Sequence, residues 1–265
     1  MRKLTFLIYC LISIALVGCP QESPKEDSAV NDPPANNNAP VKPSAEAIDA
    51  DLETETQPEA EKTETKPVEP EAVAIFNGQD LSGWLGFAGD PYQVAAMTPE
   101  ELATAQTKAD EEMNKHWSVQ DGLLFFDGKG HSIYTNKEYK DFILYVDWKI
   151  QANGDSGIYL KGFPQVQIWD PAQWPEGSGG LYNNKKGPAK PLVCADNPIG
   201  QWNTFKIEMV DNVVTVHLND KLVVDKQPLE NYFKRGEPIP ETGRIELQCH
   251  GHPLYFKNIK VIELN

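Results

Sequence analysis

Fifty-two consecutive residues, from position 20 to 71, contain no Phe, Tyr or Trp. Pro, Glu, Ala, Asn and Thr fill the stretch instead, as in Thr54-Glu55-Thr56-Gln57-Pro58. Such a segment buries too little apolar surface to offset the entropy of ordering it, which predicts a disordered spacer there. A binding tail is the other reading. Cysteine is scarce, at four in 265 residues, and neither Cys-x-x-Cys nor His-Glu-x-x-His spacing occurs. No zinc signature is therefore present at the level of sequence. No apolar run reaches the roughly 20 residues that a membrane-spanning helix needs; Leu4–Val17 falls short. Positive charge is in deficit: 24 Lys and Arg against 39 Asp and Glu give a formal net charge of −15. The spacer alone holds fourteen acids and four bases, so residues 72 to 265 carry only about −7. That mild acidity argues against nucleic acid as a partner.

The N-terminus carries an address. Arg2 and Lys3 precede the apolar run, which ends in Leu16-Val17-Gly18-Cys19. Small residues before a cysteine resemble the lipobox of bacterial lipoprotein signal peptides. The resemblance implies cleavage before Cys19 and diacylglycerol on its sulfur, with several acyl chains holding the protein stably on a membrane. An ordinary signal peptide with an incidental cysteine is the alternative. The expected organisation is a signal peptide at 1–18, a lipidated N-terminus and acidic Pro-rich tether at 19–71, and one domain at 72–265. The protein is expected to be exported and anchored to the cell membrane or outer membrane, its domain in the periplasm or at the cell surface. Cys10 would leave with the signal; Cys194 and Cys249 could pair in an oxidising compartment.

About 190 residues suffice for one domain with a sizeable core. One helix is well punctuated: Thr98 as N-cap, Pro99 at the first helical position, Glu101 three after the cap, then Leu102, Ala105, Ala109 and Met113. The apolar face is weak, which predicts a short surface helix inserted between strands. Elsewhere strands alternate and turn. Phe142, Leu144, Val146, Trp148 and Ile150 interleave with Ile143, Tyr145, Asp147 and Lys149; Asp121-Gly122 and Asn219-Asp220 mark hairpins. Many short strands with little helix predict a mostly β, two-sheet sandwich.

Three segments place unusual residues on the side of a strand away from the core. Tyr159 and Lys161 share a face; so do Gln165, Gln167 and Trp169, opposite Val166 and Ile168; so do Glu246, Gln248 and His250, opposite Ile245, Leu247 and Cys249. Amides donate and accept at once, which suits hydroxyls, and an aromatic plane suits the apolar face of a pyranose. The set looks like a carbohydrate-binding concave sheet; an amide-rich surface packed under loops is the plainer reading. Gly154-Asp155-Ser156-Gly157 and Gly177-Ser178-Gly179-Gly180 could bring backbone close to a ligand, or be turns.

The motifs Gly154 to Lys161, Gln165 to Asp170, Gly200-Gln201-Trp202-Asn203-Thr204, Leu247-Gln248-Cys249-His250-Gly251 and Phe256-Lys257-Asn258-Ile259 occur in an order that resembles the 3-keto-disaccharide hydrolase family. The combination with a lipid anchor looks most like planctomycete members. The resemblance covers about residues 73 to 264 and implies a concanavalin A-like β-sandwich, or jelly roll, acting on 3-keto-glycosides by net hydrolysis or by lyase and hydratase steps. Gln165 stands where the family often has Glu, and Lys161 where Arg is common. A 3-keto group acidifies the hydrogen on carbon 2, so one base and one enolate stabiliser suffice. The paired carboxylates of ordinary glycosidases are not required. On that chemistry His250 is expected as base or metal ligand. Lys161, or a divalent cation held by His250 with Glu246 or Asp155, is expected to stabilise the enolate. Tyr159, Gln165, Gln167, Trp169, Asp170 and Gln248 are expected to bind the sugar. A non-catalytic carbohydrate-binding module on a tether and a structural surface protein are the alternatives.

Overall fold

The computed structural model describes residues 71–264. The expected signal peptide, the expected lipid site at Cys19 and the expected tether up to residue 70 lie outside the described residues. The strands are β1 (Val73–Ala74), β2 (Trp84–Gly86), β3 (Trp117–Gln120), β4 (Leu123–Phe126), β5 (Ile133–Tyr139), β6 (Asp141–Ile150) and β7 (Asp155–Tyr159), then β8 (Gln165–Trp169), β9 (Asn203–Val210), β10 (Val213–Leu218), β11 (Lys221–Pro228), β12 (Gly243–Leu247) and β13 (Leu254–Leu264). They form an eight-stranded sheet, β11-β10-β9-β6-β13-β4-β3 with β1 on β13, and a five-stranded one, β2-β5-β12-β7-β8. The strand pairs are antiparallel. This is the mostly β, two-sheet sandwich that the strand pattern implies.

Alternation builds the core. Phe142, Leu144, Val146 and Trp148 of β6 point inward with Phe205, Ile207 and Met209 of β9 and Leu124 and Phe126 of β4. Ile133, Ile158, Val166, Ile168, Ile245 and Leu247 come from the smaller sheet, and all are buried. The marked hairpins close where expected. Asp121 and Gly122 have φ of 51° and 78°, and Asn219 and Asp220 have 50° and 64°. Paired positive φ is the backbone that a tight hairpin between twisted strands needs. Cys194 is exposed with its thiol toward Asp196, whereas Cys249 packs half-buried with Sγ 3.1 Å from the Gly130 carbonyl; the two are not joined to each other.

The helical part differs from the single short helix expected. Two helices stand between β2 and β3: α1 (Pro91–Ala96) and α2 (Pro99–His116), the latter 18 residues long. Both open on a capping box, Asp90 with Gln93 and Thr98 with Glu101. The Asp90-Pro91-x-Gln93 pattern is the same signal as Thr98-Pro99-x-Glu101, so α1 was legible and missed. Nor is α2 merely superficial, because it seals the edge of the smaller sheet. Gly86 N–H donates to Asp110 Oδ1 at 2.8 Å, and Gln106 Nε2 donates to the Gly86 carbonyl at 2.9 Å. A Cβ on Gly86 would lie 2.0 Å from the Ala109 carbonyl oxygen, so only glycine lets helix and strand approach this closely. At the opposite edge Gly179 N–H donates to the Gln167 carbonyl and Gln167 N–H to that of Gly180, covering β8. Among the described residues no helix is long and apolar enough to cross a membrane.

Candidate active site

Strand register assembles a polar row on the outer face of the smaller sheet. Leu85 stands opposite Tyr134, Tyr134 opposite Glu246, Glu246 opposite Tyr159, and Tyr159 opposite Gln165, one residue from each of the five strands. Directly opposed residues project to the same side. The next row along holds Gly157 opposite Gln167, with Gln248 N–H donating to the Gly157 carbonyl at 2.9 Å. Beyond it Asp155 stands opposite Trp169, and His250 Nδ1 lies 3.2 Å from Asp155 Oδ2. Ile158, Val166, Ile168 and Leu247, the alternate residues, are in the core. The alternation of β8 and β12 therefore sorts their side chains as the sequence implies.

Hydrogen bonds tie the rows together. Gln165 Nε2 donates to Gln167 Oε1 at 2.8 Å, and Gln167 Nε2 donates to Asp155 Oδ1 at 2.8 Å and to the Ser156 carbonyl at 2.9 Å. Asp155 in turn meets His250. This chain orients the imidazole by Nδ1 and leaves Nε2 as its other polar atom. An amide at 165 suits the chain, because Gln167 Oε1 needs a donor that a carboxylate would not supply. Two atoms are left over. Gln165 Oε1 and Gln248 Oε1 are buried with no hydrogen-bond partner. Both side chains lean over Gly157, where a Cβ would sit 2.5 Å from Gln165 Cγ and 3.1 Å from Gln248 Oε1. Glycine at 157 thus makes room for the two glutamine side chains, and their two acceptors lack donors, a cost of about 1–3 kcal/mol each unless something donates to them.

Electrostatics separate the carboxyls. Burial pushes Glu246 up to about 8, aided by repulsion from Asp90 and opposed by a hydrogen bond from Ser132. At neutral pH it is a carboxylic acid, able to donate. Burial also raises Asp155, while His250 and Gln167 pull it down.

Residues 71–262 match the family described as the 3-keto-alpha-glucoside-1,2-lyase-like domain. The chain belongs to this family. A Bacteroides thetaiotaomicron protein named 3-keto-disaccharide hydrolase is 23% identical over 246 residues, covering 71% of this chain and 77% of that protein. Two crystal structures from Parabacteroides distasonis, provisionally described as glycosyl hydrolases, are each 26% identical across 73% of this chain. They align over 84% and 94% of their own chains with TM-scores of 0.55 and 0.56. The lyase-like domain is accordingly an enzyme of the sugar-acting class.

Four expectations for the lyase-like domain need correction. Lys161 is not on the face. Strand β7 ends at Tyr159, Lys161 and Gly162 take left-handed backbone at φ of 56° and 73°, and alternation stops. Lys161 is buried, donating from Nζ to Asn212 Oδ1 and to the Glu241 carbonyl, both at 2.8 Å. It anchors loops, and burial lowers its pKa. Trp169 is on the face yet is no open platform, since Trp174 stacks on it with ring centroids 5.0 Å apart and its indole N–H donates to the Gly177 carbonyl. Asp170 is buried with its oxygens occupied by backbone N–H of Asn153 at 2.8 Å and Ala172 at 2.9 Å. Finally, Asp155 and His250 meet without Glu246. Among the described residues no group of three or more His, Cys, Asp or Glu side chains is placed to hold a metal ion.

Proposed function

We propose that the lyase-like domain cleaves 3-keto-glycosides outside the cytoplasm, held to a membrane by lipid on Cys19. The observation that carries the reading is the pair of donorless amide oxygens, Gln165 Oε1 and Gln248 Oε1, packed over Gly157. The neutral carboxyl of Glu246 lies on one side of them, and the imidazole of His250, held by Asp155, lies on the other. Sugar hydroxyls are the donors that Gln165 Oε1 and Gln248 Oε1 lack. His250 removes the proton on carbon 2, which the neighbouring ketone acidifies. The C–H pair becomes the C1–C2 double bond, the C1–O bond breaks, and Glu246 gives its proton to the departing oxygen. Water then adds across that double bond: its hydroxyl bonds to C1 as Glu246 takes back a proton from it, and His250 returns its proton to C2. Glu246 lies in β12 and His250 three residues past its end at Leu247, on either side of the Gln248–Gly157 row, so the ring lies between them. Were a divalent cation held here, Asp155 and His250 would hold it and it would supply electrophilic stabilisation of the enolate, and the base would then be a group other than His250.

The test is turnover of 3-keto-trehalose and a 3-keto-glucoside by the purified protein, with trehalose as control and with and without a chelator. Release of glucose from the keto sugar alone is expected. Binding without turnover would support the non-catalytic module instead. Loss of turnover with chelator, restored by added cation, would assign the Asp155–His250 pair to a metal. For the anchor, Cys19→Ala is expected to move the protein from the detergent phase to the aqueous phase; unchanged partitioning would remove the lipid from the proposal.

A further inference from the structure

Burial of Trp169 leaves the aromatic surface of this face to Trp174 and Tyr182. The segment after β8 folds back to place them. Besides the two N–H groups on its carboxylate, Asp170 accepts at its carbonyl from the N–H of Gln173 at 2.9 Å and of Trp174 at 3.0 Å. The Trp174 carbonyl accepts from Gly177 N–H at 2.9 Å, and the Gly177 carbonyl takes the Trp169 indole N–H. Gly177 has φ of 79°, and a Cβ there would lie 2.5 Å from Asp196 Oδ2, so the turn closes only with glycine. The product is a fixed stack. Trp174 lies nearly parallel to Trp169, at an interplanar angle of 10°, and Tyr182 meets Trp169 edge-on with centroids 5.4 Å apart. Trp169 stands directly across the strand pair from Asp155, so the stack is the wall beside the Asp155–His250 pair. Trp174 is only half-buried and Tyr182 is 54% exposed, large apolar surface that the core does not use.

We propose that Trp174 and Tyr182 form a second ring subsite, which takes the ring that departs with the C1 oxygen. This rests on reading the face as a 3-keto-glycoside site. An indole plane stacks on the apolar face of a pyranose chair, and a phenolic ring offers the same chemistry. Asp170 acts through the turn: its carboxylate and carbonyl fix the segment that carries Trp174, which makes it a positioning residue.

Trp174→Ala is expected to raise KM for 3-keto-trehalose about ten-fold while kcat stays within about two-fold, the size of one lost ring stack. The ratio of kcat/KM for 3-keto-trehalose to that for methyl 3-keto-α-glucoside, whose leaving group has no ring, falls by the same factor. Trp174→Phe restores most of it. Tyr182→Ala, at an exposed position that does not support the core, shifts the ratio the same way by a few-fold. A larger loss on a phenyl 3-keto-glucoside than on the disaccharide assigns the subsite to phenolic leaving groups. An unchanged ratio in both alanine variants overturns the subsite. Quenching of tryptophan fluorescence by trehalose provides a readout independent of turnover. Quenching that Trp174→Ala abolishes in a protein inactive on every keto sugar keeps the subsite and rejects the reaction. Quenching that the variant retains rejects the subsite.

Discussion

Replacing Glu246 with Gln is expected to abolish turnover and to stabilise the domain in the same protein. The carboxyl titrates at about 8 in the folded chain against a reference value of 4.5. Between those two values the unfolded chain has released the proton and the folded chain still holds it, so stability falls as pH rises through that window. Below about 4.5 the group costs nothing; by pH 7 the accumulated loss is on the order of 3 kcal/mol. Gln matches the neutral acid in shape and cannot ionise, so Glu246→Gln recovers that loss at pH 7 and flattens its share of the profile. Urea denaturation at pH 5, 7 and 9 measures it; equal pH dependence in both proteins would show that Glu246 is an ordinary carboxylate. An amide cannot protonate a departing oxygen, so kcat is expected to fall about a hundred-fold or more. The wild-type rate should decline as pH rises through about 8, where the acid is lost.

The second large effect separates the buried end of β12 from the segment that follows it. Leu247 is fully buried, whereas the His250 side chain, three residues on, is 51% exposed beside Asp155. Leu247→Ala removes core volume and should cost about 2–5 kcal/mol of unfolding free energy. His250→Ala removes the base and should eliminate turnover with little change in melting temperature, because an exposed side chain supports little packing. A destabilised His250→Ala protein, or one that keeps wild-type kcat, would take the base away from this position.

Much of this face could be read from residue order alone, because strands impose a period of two. Gln165, Gln167 and Trp169 against Val166 and Ile168 leave one arrangement that buries the aliphatics. The same holds for Glu246 and Gln248 against Ile245 and Leu247. The misreadings occur where that period stops applying. Alternation extended past the end of β7 puts Lys161 on the face, but the left-handed backbone there reverses the direction of the side chain. At Trp169 and Asp170 periodicity reports a face and says nothing about what folds over it; the turn from Pro171 to Gly177 covers one and consumes the other. Asp155 and His250 are 95 positions apart in the chain and meet only through the pairing of β7 with β12, which no local pattern reveals. The pKa of Glu246 is of the same kind, since burial is set by neighbours from other strands and from the α1 end.

The two sealed edges of the smaller sheet matter most away from the site. If the proposed lipid anchor holds it on a membrane, the enzyme diffuses in two dimensions, where copies collide side by side far more often than in bulk. A bare strand edge in that setting is a template on which one molecule can extend the sheet of the next. Gly86, with its N–H and carbonyl held by Asp110 and Gln106, and β8, lined by Gly179 and Gly180, offer no such template. The glycine that lets α2 press against β2 thus also closes that edge to strand addition by a second copy of the chain.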